Sequence, residues 1–385
     1  MSLASACIVC RSSRVSSFLR IEAAPVCCNQ LCGTRVAALA TPSGRIDLAF
    51  CAACGHIFNR EFDPLLLEYS AGYENSLHCS ERFREYADAL ADQLVERYQL
   101  HGRTIVEIGC GRGEFLRALC QRYGNRGFGF DPSYPENEQQ PSDISIRRET
   151  YPGSSAVPSA DFICSRHTLE HVGAPRGFLE DIRAGAGKSG IPVFFEVPNS
   201  LYTVRDGGIW DIVYEHCSYF SPSSMARLFS DTGYKVHEVA ELFGGQFLTL
   251  HARTASVEGE PGPAPSAELA GMVRSFAETY KHKIADWRNR LDDLARARRT
   301  VVVWGAGSKG TTFLNLLRPR NIEYIVDVNP RKNGSFVAGT GQEIVAPEFL
   351  REYRPDVVVC MNPNYSEEIK RGIQALGLRA ELVHA

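Results

Sequence analysis

The chain has 385 residues, of which 44% are hydrophobic and 23% are charged, a composition that is ordinary for a folded protein of two or three domains. The net charge of −3 gives no reason to expect nucleic acid or an anionic membrane as a partner. No apolar run approaches the ~20 residues that cross a bilayer, and the first residues lack the basic start and long apolar stretch of a secretory signal, so we expect a cytoplasmic protein.

Cysteines are concentrated near the N-terminus, where seven of the thirteen fall within the first 54 residues. Without a secretory signal, such clustering indicates metal binding rather than disulfides. Two C-x-x-C pairs can supply four thiolates to a tetrahedral structural zinc ion, which would stabilise a small domain over residues 1–60. The other three cysteines either replace one pair as zinc ligands or are ordinary buried thiols. We favour the two C-x-x-C pairs as the zinc ligands. The predicted ligands are Cys7, Cys10, Cys51 and Cys54; the remaining three are Cys27, Cys28 and Cys32.

Residues 61–100 contain an aromatic segment followed by a helix. The helix is predicted over Ser80 to Tyr98, because its apolar residues recur at three- and four-residue steps. A helix placed just ahead of the first strand of a nucleotide-binding sheet can cover a bound nucleoside. We therefore interpret Tyr69 as a cofactor contact and Tyr73 as a substrate contact, with plain packing as an equally weighted alternative.

The stretch from Thr104 to Leu116 predicts a buried strand, a tight turn and the start of a helix. Glycines in the turn let the chain reverse sharply and let a ligand approach the backbone. An acidic residue before the turn, Glu107, suits a cationic ligand better than a pyrophosphate. The next strand ends at Asp131, where doubly wound folds place the acid that binds ribose hydroxyls. The turn glycines are Gly109, Gly111 and Gly113.

Together these features resemble the S-adenosylmethionine (SAM) site of class I methyltransferases. We expect an α/β fold with a doubly wound sheet over residues 61–255, because further strands are predicted at 160–165 and 193–197. Ligands in such sheets bind beyond the carboxyl ends of the strands. We therefore predict that Ser165 contacts the cofactor and that Asn199 contacts the substrate.

A loop with catalytic potential follows the last of these strands. It contains Tyr214, Glu215 and His216 and leads into a helix that Ser221 is placed to cap. A neighbouring carboxylate raises the basicity of a histidine and can hold its tautomer. His216 is thus a candidate general base, and a surface or capping histidine is the alternative.

Residues 256–299 are predicted to form a linker followed by a long connecting helix, at about Glu268 to Arg298. The last domain, 300–385, opens with a strand and a full G-x-G-x-x-G at Gly305 to Gly310. Taken alone, this fingerprint predicts dinucleotide binding and an NAD-dependent oxidoreductase. Lys309 in the loop would suit a phosphate. The remaining chain is short for a complete oxidoreductase.

The combination resembles the SAM-dependent sugar C-methyltransferases of deoxysugar biosynthesis, and the resemblance extends over nearly the whole chain. That family has an N-terminal zinc domain, a class I methyltransferase core and a C-terminal Rossmann-like domain. The motifs that carry the resemblance are Cys51–Cys54, Tyr69 to Ser76, Glu107 to Gly113, Leu169 to His171, Tyr214 to Ser221, Gly244 with Gly245, Trp304 to Gly310 and Asp327 to Lys332.

The resemblance implies C-methylation of a nucleotide-linked keto-deoxysugar through an enolate. His216 would be the general base, with Glu215 orienting it, and His171 or Tyr214 would stabilise the developing oxygen charge. The C-terminal domain, with Lys309, would help to bind the nucleotide part of the substrate without a redox cofactor. SAM and a structural zinc ion are the implied cofactors.

Three departures from the family pattern leave the acceptor open, and one of them is the atypical cluster of Cys27, Cys28 and Cys32. Many members have a tyrosine where this chain has Val213 and a histidine where it has Phe243. An O- or N-methyltransferase of another natural product, an NAD-dependent oxidoreductase and a non-catalytic scaffold that binds zinc and a nucleotide remain the alternatives, in that order. The identity of the acceptor and the oligomeric state are not predicted.

Overall fold

A computed structural model describes residues 4–67, 72–135, 138–153, 159–186, 190–255 and 264–385, and the fold is taken from these ranges. None of the helices within them is long and apolar enough to cross a membrane. The strands are β1 (Val15–Pro25), β2 (Ser43–Cys51), β3 (Ile57–Asn59), β4 (Thr104–Ile108), β5 (Arg126–Phe130), β6 (Ile144–Arg147), β7 (Phe162–Arg166), β8 (Pro192–Pro198), β9 (Ser218–Tyr219), β10 (Tyr234–Leu242), β11 (Phe247–Thr254), β12 (Val301–Trp304), β13 (Tyr324–Val326), β14 (Glu343–Val345), β15 (Val357–Cys360) and β16 (Glu381–His384). The helices are α1 (Arg35–Leu39), α2 (Glu81–Tyr98), α3 (Glu114–Gln121), α4 (Pro175–Gly185), α5 (Ser200–Arg205), α6 (Pro222–Asp231), α7 (Ala267–Arg296), α8 (Ser308–Leu317), α9 (Leu350–Tyr353) and α10 (Ser366–Ala375).

The central sheet has seven strands in the order β10-β11-β8-β7-β4-β5-β6. Strands β4 to β8 pair in parallel, and β11 runs antiparallel between β8 and β10. Strand β4, between β7 and β5, is covered on both faces, so Ile105 and Val106 are both buried. Continuous apolar runs of this kind belong to parallel strands covered on both sides. The doubly wound α/β fold predicted from the sequence is confirmed.

Caps define the helices that flank this sheet. The hydroxyl of Ser80 accepts a hydrogen bond from the backbone N–H of Phe83, so α2 begins one residue after its cap. Ser221 caps α6 in the same way, with Pro222 at the first helical position, as the sequence predicted. The buried face of α2 repeats at helical spacing and packs against the sheet through Phe83, Ala87, Leu90, Ala91, Leu94 and Val95.

The C-terminal sheet is entirely parallel, in the order β14-β13-β12-β15-β16. The long helix α7 joins it to the rest of the chain. Trp287 of α7 packs edge-on against Phe313 of α8, with ring centroids 5.1 Å apart, and Trp210 contacts the same Phe313 at 4.9 Å. One hydrophobic core therefore runs from the N-terminal strands through α7 into the C-terminal sheet.

The N-terminal sheet takes its last strand from far along the chain, because its order is β1-β2-β3-β9. Ile57 pairs with Tyr219, and Phe58 pairs with Ser218. Strand β9 follows directly after His216, so the N-terminal sheet holds the end of the loop predicted to be catalytic. Residues on both sides of the predicted domain boundary at 60 thus form one sheet.

The two C-x-x-C pairs meet at one end of this sheet. The sulfur of Cys7 lies 3.7 Å from that of Cys54, and the sulfur of Cys10 lies 3.6 Å from that of Cys51. All four sulfurs fall within 4.8 Å of one another, and none is in a disulfide. A tetrahedron of Zn–S bonds of ~2.3 Å has edges of about 3.8 Å. The thiols therefore fit a structural zinc ion, and the other three N-terminal cysteines lie outside this cluster.

We expect the purified protein to contain stoichiometric zinc and the Cys51→Ser variant to lose most of it. Removing one thiolate opens the tetrahedron, and the N-terminal sheet then loses the stabilisation that a bound ion gives a small domain. Elemental analysis and thermal unfolding measure both effects. Cys79→Ser, which removes a cysteine outside the cluster, should keep its zinc. A folded wild type without metal would contradict the assignment.

Candidate active site

A cavity of about 950 Å³ opens at the carboxyl ends of the central strands. Its wall is built from the turn after β4, the segment after β7, the loop before β9 and the loop after β12. Carboxyl ends of parallel strands are where open α/β sheets bind ligands. The cavity therefore joins the methyltransferase-like motif, the candidate histidines and the second fingerprint.

The glycine turn after β4 adopts left-handed backbone conformations. A side chain on Gly109 would lie 1.8 Å from the hydroxyl of Thr168, whereas one on Gly111 would meet nothing within 4 Å because that residue faces open space. The N–H of Gly111 donates to the Asp131 carboxylate at 2.8 Å. Gly113 is the N-cap of α3 and packs against Ile146. Gly109, Gly111 and Asp131 line the cavity, whereas Gly113 does not.

Glu107, at the end of β4, is a buried acid with an unsatisfied oxygen. It is 2% exposed but belongs to the cavity wall. Its Oε2 atom has no hydrogen-bond partner among the described residues. Burial raises the pKa of this carboxyl to about 8. A buried carboxyl with an unsatisfied oxygen is stabilised by a hydrogen-bond donor or a cation, and a cationic ligand such as SAM would provide that partner.

Two of the predicted cofactor contacts that the structure describes, Gly113 and Ser165, are not found in the cavity wall. The hydroxyl of Ser165 donates to the carbonyl of Ile108 at 2.8 Å, and the residue is fully buried behind the glycine turn. Its role is therefore to hold β7 against β4, which corrects the prediction that it contacts the cofactor. Tyr69 lies outside the described residues.

Two histidines face each other in the cavity wall. The rings of His171 and His216 have centroids 4.9 Å apart and stand nearly perpendicular. The Nδ1 atom of His171 lies 3.1 Å from the backbone carbonyl of Glu215, which can only accept a hydrogen bond. Nδ1 therefore carries the proton, and Nε2 of the neutral ring is an acceptor. This tautomer cannot donate to an oxyanion through Nε2, so it fits the predicted charge-stabilising role of His171 poorly.

Burial keeps both imidazoles neutral. It lowers the pKa of His171 to about 4 and the pKa of His216 well below its usual value of 6.5. Neutral imidazoles are available as proton acceptors at pH 7.

The structure corrects the orientation of the two residues before His216. The hydroxyl of Tyr214 accepts a hydrogen bond from the Asp63 N–H at 2.9 Å, in the interior of the N-terminal domain. The carboxylate of Glu215 accepts hydrogen bonds from the N–H of Cys28 at 2.5 Å and from the hydroxyl of Tyr73 at 2.6 Å. Neither Tyr214 nor Glu215 lines the cavity. The predicted catalytic roles of their side chains therefore do not fit their positions.

Of the three predicted substrate contacts, Tyr73 and Lys309 line the cavity and Asn199 does not. Asn199 caps α5 and donates to the carbonyl of Gly245 at 2.9 Å, so its side chain is fully used in positioning two loops. Lys309 forms an ion pair with Asp211 across the junction between the central and C-terminal sheets.

The loop after β12 resembles the glycine turn after β4, because in both a backbone N–H donates to a carboxylate that follows the next strand. A side chain on Gly310 would meet the carbonyl oxygen of Gly305 at 2.1 Å, so this glycine is required for the helix to approach the loop. The N–H of Ala306 donates to the Asp327 carboxylate at 2.9 Å. The ammonium of Lys332 donates to the same carboxylate at 3.2 Å and to the carbonyl of Ala306 at 3.0 Å. The loop is thus held open toward the cavity.

Sequence reasoning missed two residues of the wall, both after β7. Glu170 is buried beside His171, and its Oε2 has no hydrogen-bond partner among the described residues. His167 adopts a left-handed φ of 52° and places Nε2 3.0 Å from the Glu196 carboxylate. Both lie in the Arg166-to-His171 segment, but a single sequence gives no signal that separates them from their neighbours.

Comparison with known proteins agrees with this geometry. Residues 79–239 match a family model described as a methyltransferase domain. Residues 266–380 match one described as a C-methyltransferase C-terminal domain. The chain is 28% identical over 307 residues to the C-methyltransferase NovU of Streptomyces niveus, a match that covers 73% of this chain and 71% of that protein.

Two solved methyltransferase structures each align with less than half of the chain. A SAM-dependent methyltransferase from Aquifex aeolicus aligns with 43% of this chain and 89% of its own, at 17% identity and a TM-score of 0.35. Magnesium protoporphyrin IX methyltransferase from Synechocystis aligns with 45% of this chain and 84% of its own, at 14% identity and a TM-score of 0.35. The methyltransferase match, laid over the seven-stranded sheet and its glycine turn, shows that the chain is a SAM-dependent methyltransferase, and its residues 266–380 are similar to the C-terminal domain of C-methyltransferases.

Proposed function

We propose that the protein methylates a carbon atom of a nucleotide-linked keto-deoxysugar, with SAM as the methyl donor and His216 as the general base. The observation that carries this proposal is the single cavity shared by the SAM turn, the histidine pair and the C-terminal glycine loop. A substrate with a reactive sugar at one end and a nucleotide at the other would occupy both halves of such a cavity.

The SAM half of the cavity has the groups that this cofactor needs. Gly111 leaves the backbone open to close approach, and the unsatisfied oxygen of Glu107 offers an anion to a cationic ligand. Asp131 lies where doubly wound folds bind ribose hydroxyls, with Oδ2 accepting a hydrogen bond from the Gly111 N–H and Oδ1 accepting from Ser133. When bound, SAM supplies an electrophilic methyl group to a carbon nucleophile.

The histidine pair fits the removal of a proton from carbon. A carbon next to a ketone becomes acidic only when a base is positioned beside it and the enolate oxygen is stabilised. Neutral His216 lines the cavity and would take that proton, while His171, held through Nδ1 by the Glu215 carbonyl, keeps a defined orientation against it. Positioning of the enolate carbon against the methyl group would supply much of the remaining rate.

The nucleotide half of the cavity is the region around Lys309. The loop at 305–310 opens onto the cavity at the start of α8, where backbone N–H groups suit an anion. The ammonium of Lys309 is already near this region, although it is paired with Asp211. A diphosphate would compete with Asp211 for this cation.

The reaction is tested by incubating the protein with SAM carrying a labelled methyl group and a panel of nucleotide-linked 4-keto-6-deoxy sugars. Mass spectrometry should detect one labelled methyl on a sugar carbon. His216→Asn should lower turnover by roughly 10²- to 10⁴-fold, because general-base catalysis is worth that much, while SAM binding stays unchanged. Tyr214→Phe removes a hydroxyl that, among the described residues, hydrogen-bonds the backbone of Asp63, and this variant should keep wild-type turnover. Label on oxygen or nitrogen, or full activity of His216→Asn, would refute the proposal.

Glu107→Gln should weaken SAM binding by about tenfold to a hundredfold, since a hydrogen bond to a charged group contributes ~1.5–3 kcal/mol. Burial raises the pKa of the Glu107 carboxyl to about 8 in the protein without ligand. Below that pH, the carboxyl must release a proton before it can pair with a cation, so SAM affinity should rise as pH approaches 8. Titration calorimetry between pH 6 and 9 should show this rise in the wild type and a smaller one in Glu107→Gln. Equal pH profiles would contradict a contact between Glu107 and the cation.

A further inference from the structure

The histidine pair needs a carboxylate partner, and Glu215 is not available for that role. A buried imidazole that gains a proton becomes a cation, which burial disfavours unless an anion lies nearby. The sequence predicted that Glu215 provides this anion. Its two oxygens are instead engaged by the Cys28 N–H and the Tyr73 hydroxyl, outside the cavity wall.

Glu170 lies where such a partner is needed. One side-chain oxygen or nitrogen from each of Glu170, His171 and His216 falls within 4.8 Å of the other two. Glu170 lines the cavity, is 2% exposed, and has an Oε2 atom without a hydrogen-bond partner among the described residues. We propose that Glu170 is the carboxylate partner of the histidine pair: it stabilises the imidazolium formed during catalysis and then takes its proton. This inference rests on the proposed function and names a positioning residue for it.

The backbone around Glu170 is fixed from two sides. The thiol of Cys217 donates to the Glu170 carbonyl at 3.4 Å, and Nδ1 of His171 donates to the Glu215 carbonyl at 3.1 Å. These contacts cross between the turn after β7 and the loop before β9. The carboxyl and the two rings are thereby held by the same pair of segments, so their spacing does not depend on a flexible loop end.

The proposed step moves one proton from the substrate carbon to His216 and then to Glu170. The C–H bond beside the ketone breaks, its electron pair becomes the enolate, and the proton goes to a ring nitrogen of His216. The resulting N–H⁺ passes a proton to the Glu170 carboxylate, which leaves a neutral imidazole and a neutral carboxylic acid. Glu170 later releases that proton to solvent. The enolate electron pair would form the new C–C bond to the methyl group, while the S–C bond of SAM would break with its electron pair left on sulfur, which gives S-adenosylhomocysteine.

The charges around Glu170 determine when it can accept a proton. Burial is the main reason why the pKa of this carboxyl is raised to about 8, and the Glu196 carboxylate on β8 raises it further. His167 places Nδ1 3.8 Å from Oε1 of Glu170, His171 and His216 lie in the same cluster, and the Cys217 thiol contacts the Glu170 carbonyl. Below pH 8, Glu170 therefore carries a proton and cannot receive another. The rate should consequently rise as pH increases toward 8.

The test compares wild type, Glu170→Gln, Glu170→Asp and the control Glu180→Gln, which removes an exposed acid on the neighbouring helix α4. Two activities are measured from pH 6 to 9.5: methyl transfer at saturating SAM, and exchange of the substrate C–H with D₂O at saturating S-adenosylhomocysteine. Saturation keeps the pH dependence of cofactor affinity expected from Glu107 out of both profiles. Glu170→Gln should lower both by about 10²-fold, lose the rise toward pH 8 and keep S-adenosylhomocysteine affinity. Glu170→Asp should recover part of the rate together with the rise, and Glu180→Gln should match the wild type.

A Glu170→Gln variant that keeps the wild-type pH profile would overturn the inference, because a purely structural residue lowers the rate without moving the profile. A measurement without substrate separates this result from a failure of the proposed function. NMR titration of the histidine C2–H signals, assigned with His171→Asn and His216→Asn, should show a step near pH 8 in the wild type that Glu170→Gln lacks. The same step in both proteins, or in neither, would remove Glu170 from the cluster whatever the acceptor is.

Discussion

The buried carboxylate of Glu215 joins the parts of the protein that form the active site. It accepts hydrogen bonds from the N–H of Cys28 in the N-terminal domain and from the hydroxyl of Tyr73 in the loop before α2. Its own backbone carbonyl holds the ring of His171. The carbonyl of Cys28 accepts a hydrogen bond from Thr311 of α8, which extends the connection to the C-terminal domain. Because burial of a carboxylate is costly unless its oxygens are satisfied, these segments are held to one arrangement.

The same arrangement explains why the N-terminal sheet includes strand β9. The loop that carries Glu215 and His216 ends in Ser218 and Tyr219, which pair with β3. If the thiols of the N-terminal domain hold zinc, the ion stiffens the sheet against which this loop is built. A metal site far from the chemistry would then contribute to it by fixing where the loop ends. The loop is also held to the turn after β7 of the central sheet, because the Cys217 thiol donates a hydrogen bond to the Glu170 carbonyl.

The fold could be predicted well from local patterns, because apolar runs, caps and glycine turns are properties of short segments. Strand β4, helix α2 and the two glycine loops all follow from residues within about a dozen positions of one another. Side-chain direction could not be predicted in the same way. Tyr214, Glu215 and His216 are consecutive, yet only His216 reaches the cavity, because Asp63 and Cys28 hold the other two side chains. Those partners lie more than a hundred residues away in sequence.

Glu170 is a second residue whose position in the site could not be predicted from the sequence. It is adjacent to a histidine that the sequence singles out, but nothing in a single sequence distinguishes it from an ordinary buried acid. Its significance comes from three facts that only the fold supplies: its place in the cavity wall, its unsatisfied oxygen and its distance from His216. The two glycine loops make a related contrast. Each has a backbone N–H bound to a carboxylate at the end of the next strand, Gly111 to Asp131 and Ala306 to Asp327. The first loop adds the buried acid Glu107 and the second adds the cations Lys309 and Lys332, so the same kind of glycine turn is combined with side chains of opposite charge on the two sides of one cavity.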